Sequence, residues 1–134
     1  REKRHDAARI VDITCRNLLD GDTLCLFPEG TTTDGTEIRP FKSSLIQGAI
    51  HANAVIWPIA IRYPRKDGSV NTEIAYAGET TLIESIQQLL LQKQAVVELH
   101  FLAPITTARL SELDKDRRKL TLQIEHLIKD KLKL

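Results

Sequence analysis

A carboxylate, two glycines and two cations stand close together in the stretch LCLFPEGTTTDGTEIRPFKSS, residues 24–44. Glu29 is followed at once by Gly30. Thr31, Thr32 and Thr33 add hydroxyls, and Arg39 and Lys42 add positive charge. Backbone N–H groups in such a loop, with hydroxyls and cations around it, suit a phosphate. The same composition also makes an ordinary surface turn. Gly30 and Gly35 have the spacing of a nucleotide-binding P-loop, but Thr36-Glu37 stands where that loop needs Lys-Ser/Thr. Without the lysine the phosphate-cradling mechanism fails, and a nucleotide P-loop is rejected. No Gly-x-Ser-x-Gly nucleophile elbow occurs either.

The elements that must position this stretch follow from periodicity. Ala7, Ile10, Val11, Thr14 and Leu18 recur at helical spacing before Asp20-Gly21. The run 23–27 reads as a short strand, ended by Pro28 and Gly30. Residues 42–54 read as a helix with Leu45, Ile46, Ala49 and Ile50 on one face, and 54–63 as a strand containing Pro58, which implies an edge, a bulge or a strand end. A turn at Asp67-Gly68, a strand over 72–78 and a helix opened by the capping box Thr81–Glu84 come next. That helix carries Leu82, Ile86, Leu89 and Leu90 on its apolar face. The run 95–102 is the clearest strand, Ser111–Asp114 a second capping-box candidate, and 112–132 a helix with Leu113, Leu120, Ile124, Leu127 and Ile128 at helical spacing. Such alternation predicts one α/β domain over residues 1–134, with a mixed, largely parallel sheet flanked by helices.

The totals exclude several classes. Of 134 residues, 19 are Lys or Arg and 18 are Asp or Glu, a net charge of +1, so no global attraction draws the chain to nucleic acid. Aromatic residues are 4% of the chain, too few for base-stacking platforms. No apolar run approaches the length of a membrane span, and no signal-peptide pattern occurs. Cys15 and Cys25 lack the companions of a zinc site and read as buried free thiols in a reducing, cytoplasmic compartment. The chain has no Met and enters a helical pattern almost at once, as a piece of something longer would.

The blocks Phe27-Pro28-Glu29-Gly30-Thr31, Pro40-Phe41-Lys42 and Val55–Ile59 with Pro58 resemble, in order and spacing, those of the 1-acyl-glycerol-3-phosphate (lysophosphatidic acid) acyltransferase family. Arg1 takes the place of the family's upstream arginine, with Arg4 beside it, and the downstream runs YAGETTLIESI and VELHFLAPI extend the likeness. The resemblance implies a glycerol-3-phosphate acyltransferase-like fold, truncated at its N-terminal side. It also implies transfer of an acyl chain from acyl-CoA or acyl carrier protein to a lysophospholipid, with no other cofactor, at the cytoplasmic face of a membrane. Arg1, Arg4, Thr31, Thr32 and Lys42 would hold or orient the phosphate, with Phe27 and Pro28 also among the substrate-binding residues. Gly30 would let the backbone approach, and Glu29 would order the pocket or bind a glycerol hydroxyl.

Two departures stand out. The arginine after the family's Gly-Thr is Thr32 here, which leaves a phosphate-free lysolipid such as lyso-ornithine lipid as a competing acceptor, with Arg39 or Lys42 as substitute cations. The family's His-x-x-x-x-Asp is also missing: five residues after His5, His51, His100 and His126 stand Ile10, Ile56, Ile105 and Lys131. In the family that block precedes the counterpart of Arg1, and the expectation is that this chain is the substrate half of a longer enzyme. The reading from a different class is a non-catalytic module that binds lipid head groups or a partner protein. His51 and His100 read as packing or surface residues, Trp57 as a core residue rather than one near an acyl channel, Pro58 as a strand-shaping one, and the basic RYPRK loop as a solvated turn or a contact for anionic lipid.

Overall fold

The computed structural model describes residues 2–78, 80–111 and 114–134, with side chains from residue 8 onward. The first helix, α1, spans Glu2–Leu19 and ends where Asp20 N–H bonds back to Arg16 O at 2.9 Å. Helix α2 (Ser43–His51) packs across it. The contact depends on Gly48: a Cβ there would lie 2.7 Å from Thr14 Cβ and 3.1 Å from Val11 O, so only a bare backbone fits between the helices. The long C-terminal helix, α4 (Arg117–Leu132), closes the other side of α2.

The core forms between α2 and α4. Ile46 and Ile50 meet Leu120 and Ile124, all 7% exposed or less, and Phe41, Ile56, Ile105, Leu110 and Ile128 pack around them. Each such aliphatic side chain contributes about 1.5–3 kcal/mol when taken out of water. The helical spacing of the apolar residues brings these two faces together.

The strands are short and antiparallel. β1 (Val55–Ile56) pairs with β4 (Ile105–Thr106), and β2 (Ile59–Arg62) with β3 (Glu98–Phe101). Pro58 separates β1 from β2, and its carbonyl accepts Leu102 N–H at 3.0 Å, so one run of chain serves two ladders. A largely parallel sheet was expected from the alternation of elements; both ladders among the described residues are antiparallel instead. Two other expected strands also form no ladder. Residues 23–27 have no paired neighbour, leaving Leu26 and Phe27 38% and 70% exposed, and Thr72–Ile74 winds into a 3-10 turn. A strand needs a partner for its N–H and C=O groups, and the described chain supplies neither run with one.

The predicted turn and caps hold more closely. Pro64 and Val70 bridge across the turn, whose Asp67 Oδ1 accepts both Ser69 N–H and Ser69 O–H. Helix α3 (Leu82–Leu91) opens on the reciprocal Thr81–Glu84 capping box. The residues of its expected apolar face, Leu82, Ile86, Leu89 and Leu90, are exposed. For the second capping-box candidate, Glu112 and Leu113 lie outside the described residues. Ser111 and Asp114 do bond reciprocally, but α4 begins later, with Asp116 accepting Arg118 N–H and Lys119 N–H. Trp57 is 60% exposed, and Cys25 is also exposed rather than buried, because 23–27 joins no sheet.

Candidate active site

The stretch 27–42 folds back on itself. Gly30 N–H bonds to Phe27 O at 3.1 Å, closing a tight turn over Pro28-Glu29, and Lys42 N–H bonds to Pro28 O at 2.9 Å, drawing the start of α2 against that turn. Glu29 completes the closure: its Oε2 accepts Arg39 N–H at 2.9 Å across ten residues. A carboxylate at this point therefore clasps the two ends of the loop. Its bond to the backbone is charge-assisted and stronger than a neutral one.

Gly30 has φ +70°, the left-handed region that disfavours a side chain, and its open face is covered by Lys42. A Cβ on Gly30 would lie 2.0 Å from Lys42 Nζ and 2.7 Å from its Cε. The ammonium thus lies directly over the bare glycine backbone, exposed to solvent and in no ion pair among the described residues. Arg39, the other expected cation, is differently engaged, with its Nε 3.9 Å from Glu37 Oε1. Lys42 is the cation this loop presents.

The threonines divide. Thr31 is exposed beside the turn, whereas the Thr32 hydroxyl donates to Tyr76 O and is turned toward the loop before α3. Thr33 O–H donates to Glu37 O, and Asp34 accepts both N–H and O–H of Thr36. The Thr36 hydroxyl, then its backbone N–H, hold the Asp34 carboxyl below its ordinary value. Thr32, Asp34, Thr36 and Arg39 line an open recess of about 330 Å³. Of the residues expected at the site, Phe27, Pro28, Glu29, Gly30 and Lys42 come together; the Thr32 hydroxyl is bonded to Tyr76 O instead. Arg1 and the Arg4 side chain lie outside the described residues, although Arg4 belongs to α1.

One supporting residue escaped the sequence. Glu125, on α4 and 6% exposed, accepts Phe41 N–H on Oε2 at 3.0 Å and the Lys129 ammonium on Oε1 at 2.7 Å. Phe41 immediately precedes Lys42, so this bond between residues 84 apart fixes where the lysine leaves the core. Burial raises the Glu125 carboxyl pKa, but the Lys129 hydrogen bond, Phe41 N–H and the charges of Lys129 and His126 outweigh it, and the net shift is downward. A depressed folded-state pKa means stability that is present above the ordinary carboxyl range and lost as pH falls through the folded value. Thermal melts from pH 7 to pH 3 should therefore show a fall in Tm below about pH 4.5 that is smaller in Glu125→Gln. At pH 7, Glu125→Ala should lower stability by about 1–3 kcal/mol, because the half-buried Phe41 N–H loses its acceptor.

The loop over residues 27–42 falls within a segment that matches known proteins. Residues 1–62, which contain it, match the Acyltransferase family. The chain is 32% identical over 109 residues to a lyso-ornithine lipid O-acyltransferase of Pseudomonas aeruginosa, covering 81% of this chain and 40% of that protein. It is 29% identical over 129 residues to a 1-acyl-sn-glycerol-3-phosphate acyltransferase of Neisseria gonorrhoeae, covering 96% of this chain and 49% of that protein. A lyso-ornithine lipid O-acyltransferase of Brucella abortus is 29% identical over 125 residues, covering 84% of this chain and 45% of that protein. These matches support a place for the chain in the glycerolipid acyltransferase family. It spans less than half the length of these relatives. No solved structure matches it significantly.

Proposed function

We propose that the whole protein is a lysolipid O-acyltransferase of lipid biosynthesis, and that this chain supplies the half of its site that holds the acceptor. The observation that carries the reading is the Phe27–Gly30 turn with the Lys42 ammonium over the bare Gly30 backbone. A lysolipid hydroxyl is a weak nucleophile toward a thioester. Its proton must pass to a base as the C–O bond forms and the thiolate leaves, and the oxyanion needs nearby donors. The described loop contributes an ammonium and a backbone face that position an anionic acceptor; the base, a histidine oriented by an aspartate, is expected from a His-x-x-x-x-Asp outside this chain. The donor is acyl-CoA or acyl carrier protein, and the setting the cytoplasmic face of a membrane, within a glycerol-3-phosphate acyltransferase-like fold.

For the acceptor, 1-acyl-glycerol-3-phosphate is the first reading, because Lys42 is a point charge suited to a phosphate. Lyso-ornithine lipid is the second, favoured by Thr32, whose hydroxyl is engaged with Tyr76 O where the family places a cation. Two relatives act, by name, on lyso-ornithine lipid. The coding sequence upstream of the Arg1 codon tests the reading. A His-x-x-x-x-Asp a few dozen codons before Arg1 is the expected result. A start codon at or just before Arg1 would leave no base and point to a non-catalytic module for lipid head groups.

A further inference from the structure

A second recess, of about 830 Å³, opens where the turn after β2 meets the residues that follow α3. Arg62, Arg65, Lys66 and Lys93 line it, together with two acids, Glu73 and Glu98. Both acids are engaged. Glu73 pairs with Arg65 at 3.0 Å, and Glu98 lies 3.3 Å from His100. The Arg62 guanidinium donates to Gly68 O. The Lys66 and Lys93 side chains form no ion pair or hydrogen bond among the described residues. Two uncommitted ammonium groups therefore stand in one concavity, one from the turn and one from the chain after α3.

These two walls are pinned to each other. Asn71, 7% exposed, donates through Nδ2 to Gln92 Oε1 at 2.8 Å, across 21 residues, and Gln92 Nε2 donates to Glu73 Oε2 at 3.4 Å. Gln92 immediately precedes Lys93, so this amide pair sets where that lysine leaves the chain. The turn closes with Arg65 N–H on Ser69 O and Asn71 N–H on Tyr63 O, both at 2.8 Å, which places Lys66. The recess also shares a partition with the acceptor loop. Asn71 and Glu73 line the recess, while Val70 and Tyr76 of the same segment meet the loop. Thr32 O–H donates to Tyr76 O, and a Cβ on Gly35 would lie 3.3 Å from Val70 Cγ1.

We propose that this recess binds the phosphates of an acyl-CoA donor, with Lys66 and Lys93 against them and the thioester end left for the acceptor loop. The choice of ligand rests on the acyl-transfer reading. Size and charge select this occupant. The volume lies within the roughly 300–1,000 Å³ of small-ligand sites, and an ammonium group is a point-charge partner for a phosphate. Coenzyme A carries a pyrophosphate and a separate 3′-phosphomonoester, which two separate ammonium groups can pair. The prosthetic arm of a carrier protein brings a single phosphodiester, so it leaves one of the two lysines without a partner.

The experiment is equilibrium dialysis of the whole protein with coenzyme A, 3′-dephospho-coenzyme A and pantetheine, alongside the KM of acyl transfer for each donor. Coenzyme A should bind at least about tenfold tighter than the dephospho form, and added salt should weaken it. Lys66→Gln/Lys93→Gln should weaken coenzyme A binding roughly tenfold or more and leave pantetheine binding unaltered. KM for acyl-CoA should rise by a similar factor while KM for the lysolipid stays the same. Circular dichroism should not change, because both lysines are exposed. No coenzyme A binding, equal affinity for the dephospho form, or a double variant that binds like the unaltered protein would each overturn the proposal. So would a KM defect confined to acyl carrier protein, which would assign the recess to that donor. Coenzyme A binding that depends on both lysines, in a protein that acylates no lysolipid, would uphold the recess and overturn the acyl-transfer reading instead.

Discussion

In the whole protein, Glu29→Ala is expected to reduce kcat/KM for acyl transfer by at least about 100-fold, as removal of a positioned polar group at a reacting site commonly does. The argument rests on the clasp. Glu29 Oε2 holds Arg39 N–H, and that bond spans the loop between the turn that exposes the Gly30 backbone and the residues that deliver Lys42. Without the carboxylate, the turn keeps its own closure, Gly30 N–H to Phe27 O, and Lys42 N–H to Pro28 O is the remaining backbone bond, among the described residues, that holds it against α2. Glu29→Gln keeps an acceptor oxygen of the same reach and loses only the charge, so it should stay within about tenfold of the unaltered enzyme. Exchange of the Arg39 amide with solvent should quicken in the Ala variant and stay close to normal in the Gln variant. Equal losses of activity in both variants would show that the charge, not the clasp, is what the site needs.

Gly30→Ala separates activity from stability in a different way. The added Cβ would meet the far end of a flexible side chain, so Lys42 can swing aside and folding should survive. The stability cost is that of a left-handed residue with a side chain, about 1–2 kcal/mol. Acyl transfer should fall further than that cost implies, by roughly 10- to 100-fold, with KM for an anionic acceptor rising, because the ammonium is displaced from the glycine face. Lys42→Ala removes the same ammonium and should show the same defect without the loss of stability. Since both changes act through one group, the double variant should be little worse than either alone. Losses that multiply would mean that Gly30 and Lys42 act separately.

How far the sequence could go is clearest from particular residues. The α2–α4 core was legible because Ile46, Ile50, Leu120 and Ile124 repeat at helical spacing, and a local pattern suffices to say which face is buried. The Thr81–Glu84 box and the Asp67-Gly68 turn were legible for the same reason: their bonds close within three or four residues. The Phe-Pro-Glu-Gly-Thr block marked the turn that presents Lys42. Contacts distant in the chain left no such trace. Nothing local pairs Glu125 with Phe41, 84 residues away, or turns Thr32 toward Tyr76. The antiparallel direction of both ladders depends on which runs meet through Pro58, and the run 23–27 is strand-like in composition but has no neighbour in the described chain to pair with. The apolar face of α3 shows why periodicity can mislead: it reports that a helix has two faces, not what the apolar one rests against.

The most direct measurement is acyl transfer by the whole protein, at a fixed acyl donor, to 1-acyl-glycerol-3-phosphate and to lyso-ornithine lipid in parallel, with the acylated products identified by mass. The account predicts a diacyl product from at least one of the two acceptors, formed roughly 10- to 100-fold more slowly in Gly30→Ala, where the Lys42–Gly30 contact is broken. If neither acceptor is acylated from acyl-CoA or from acyl carrier protein, the reading of residues 27–42 as the acceptor half of an acyltransferase site is contradicted.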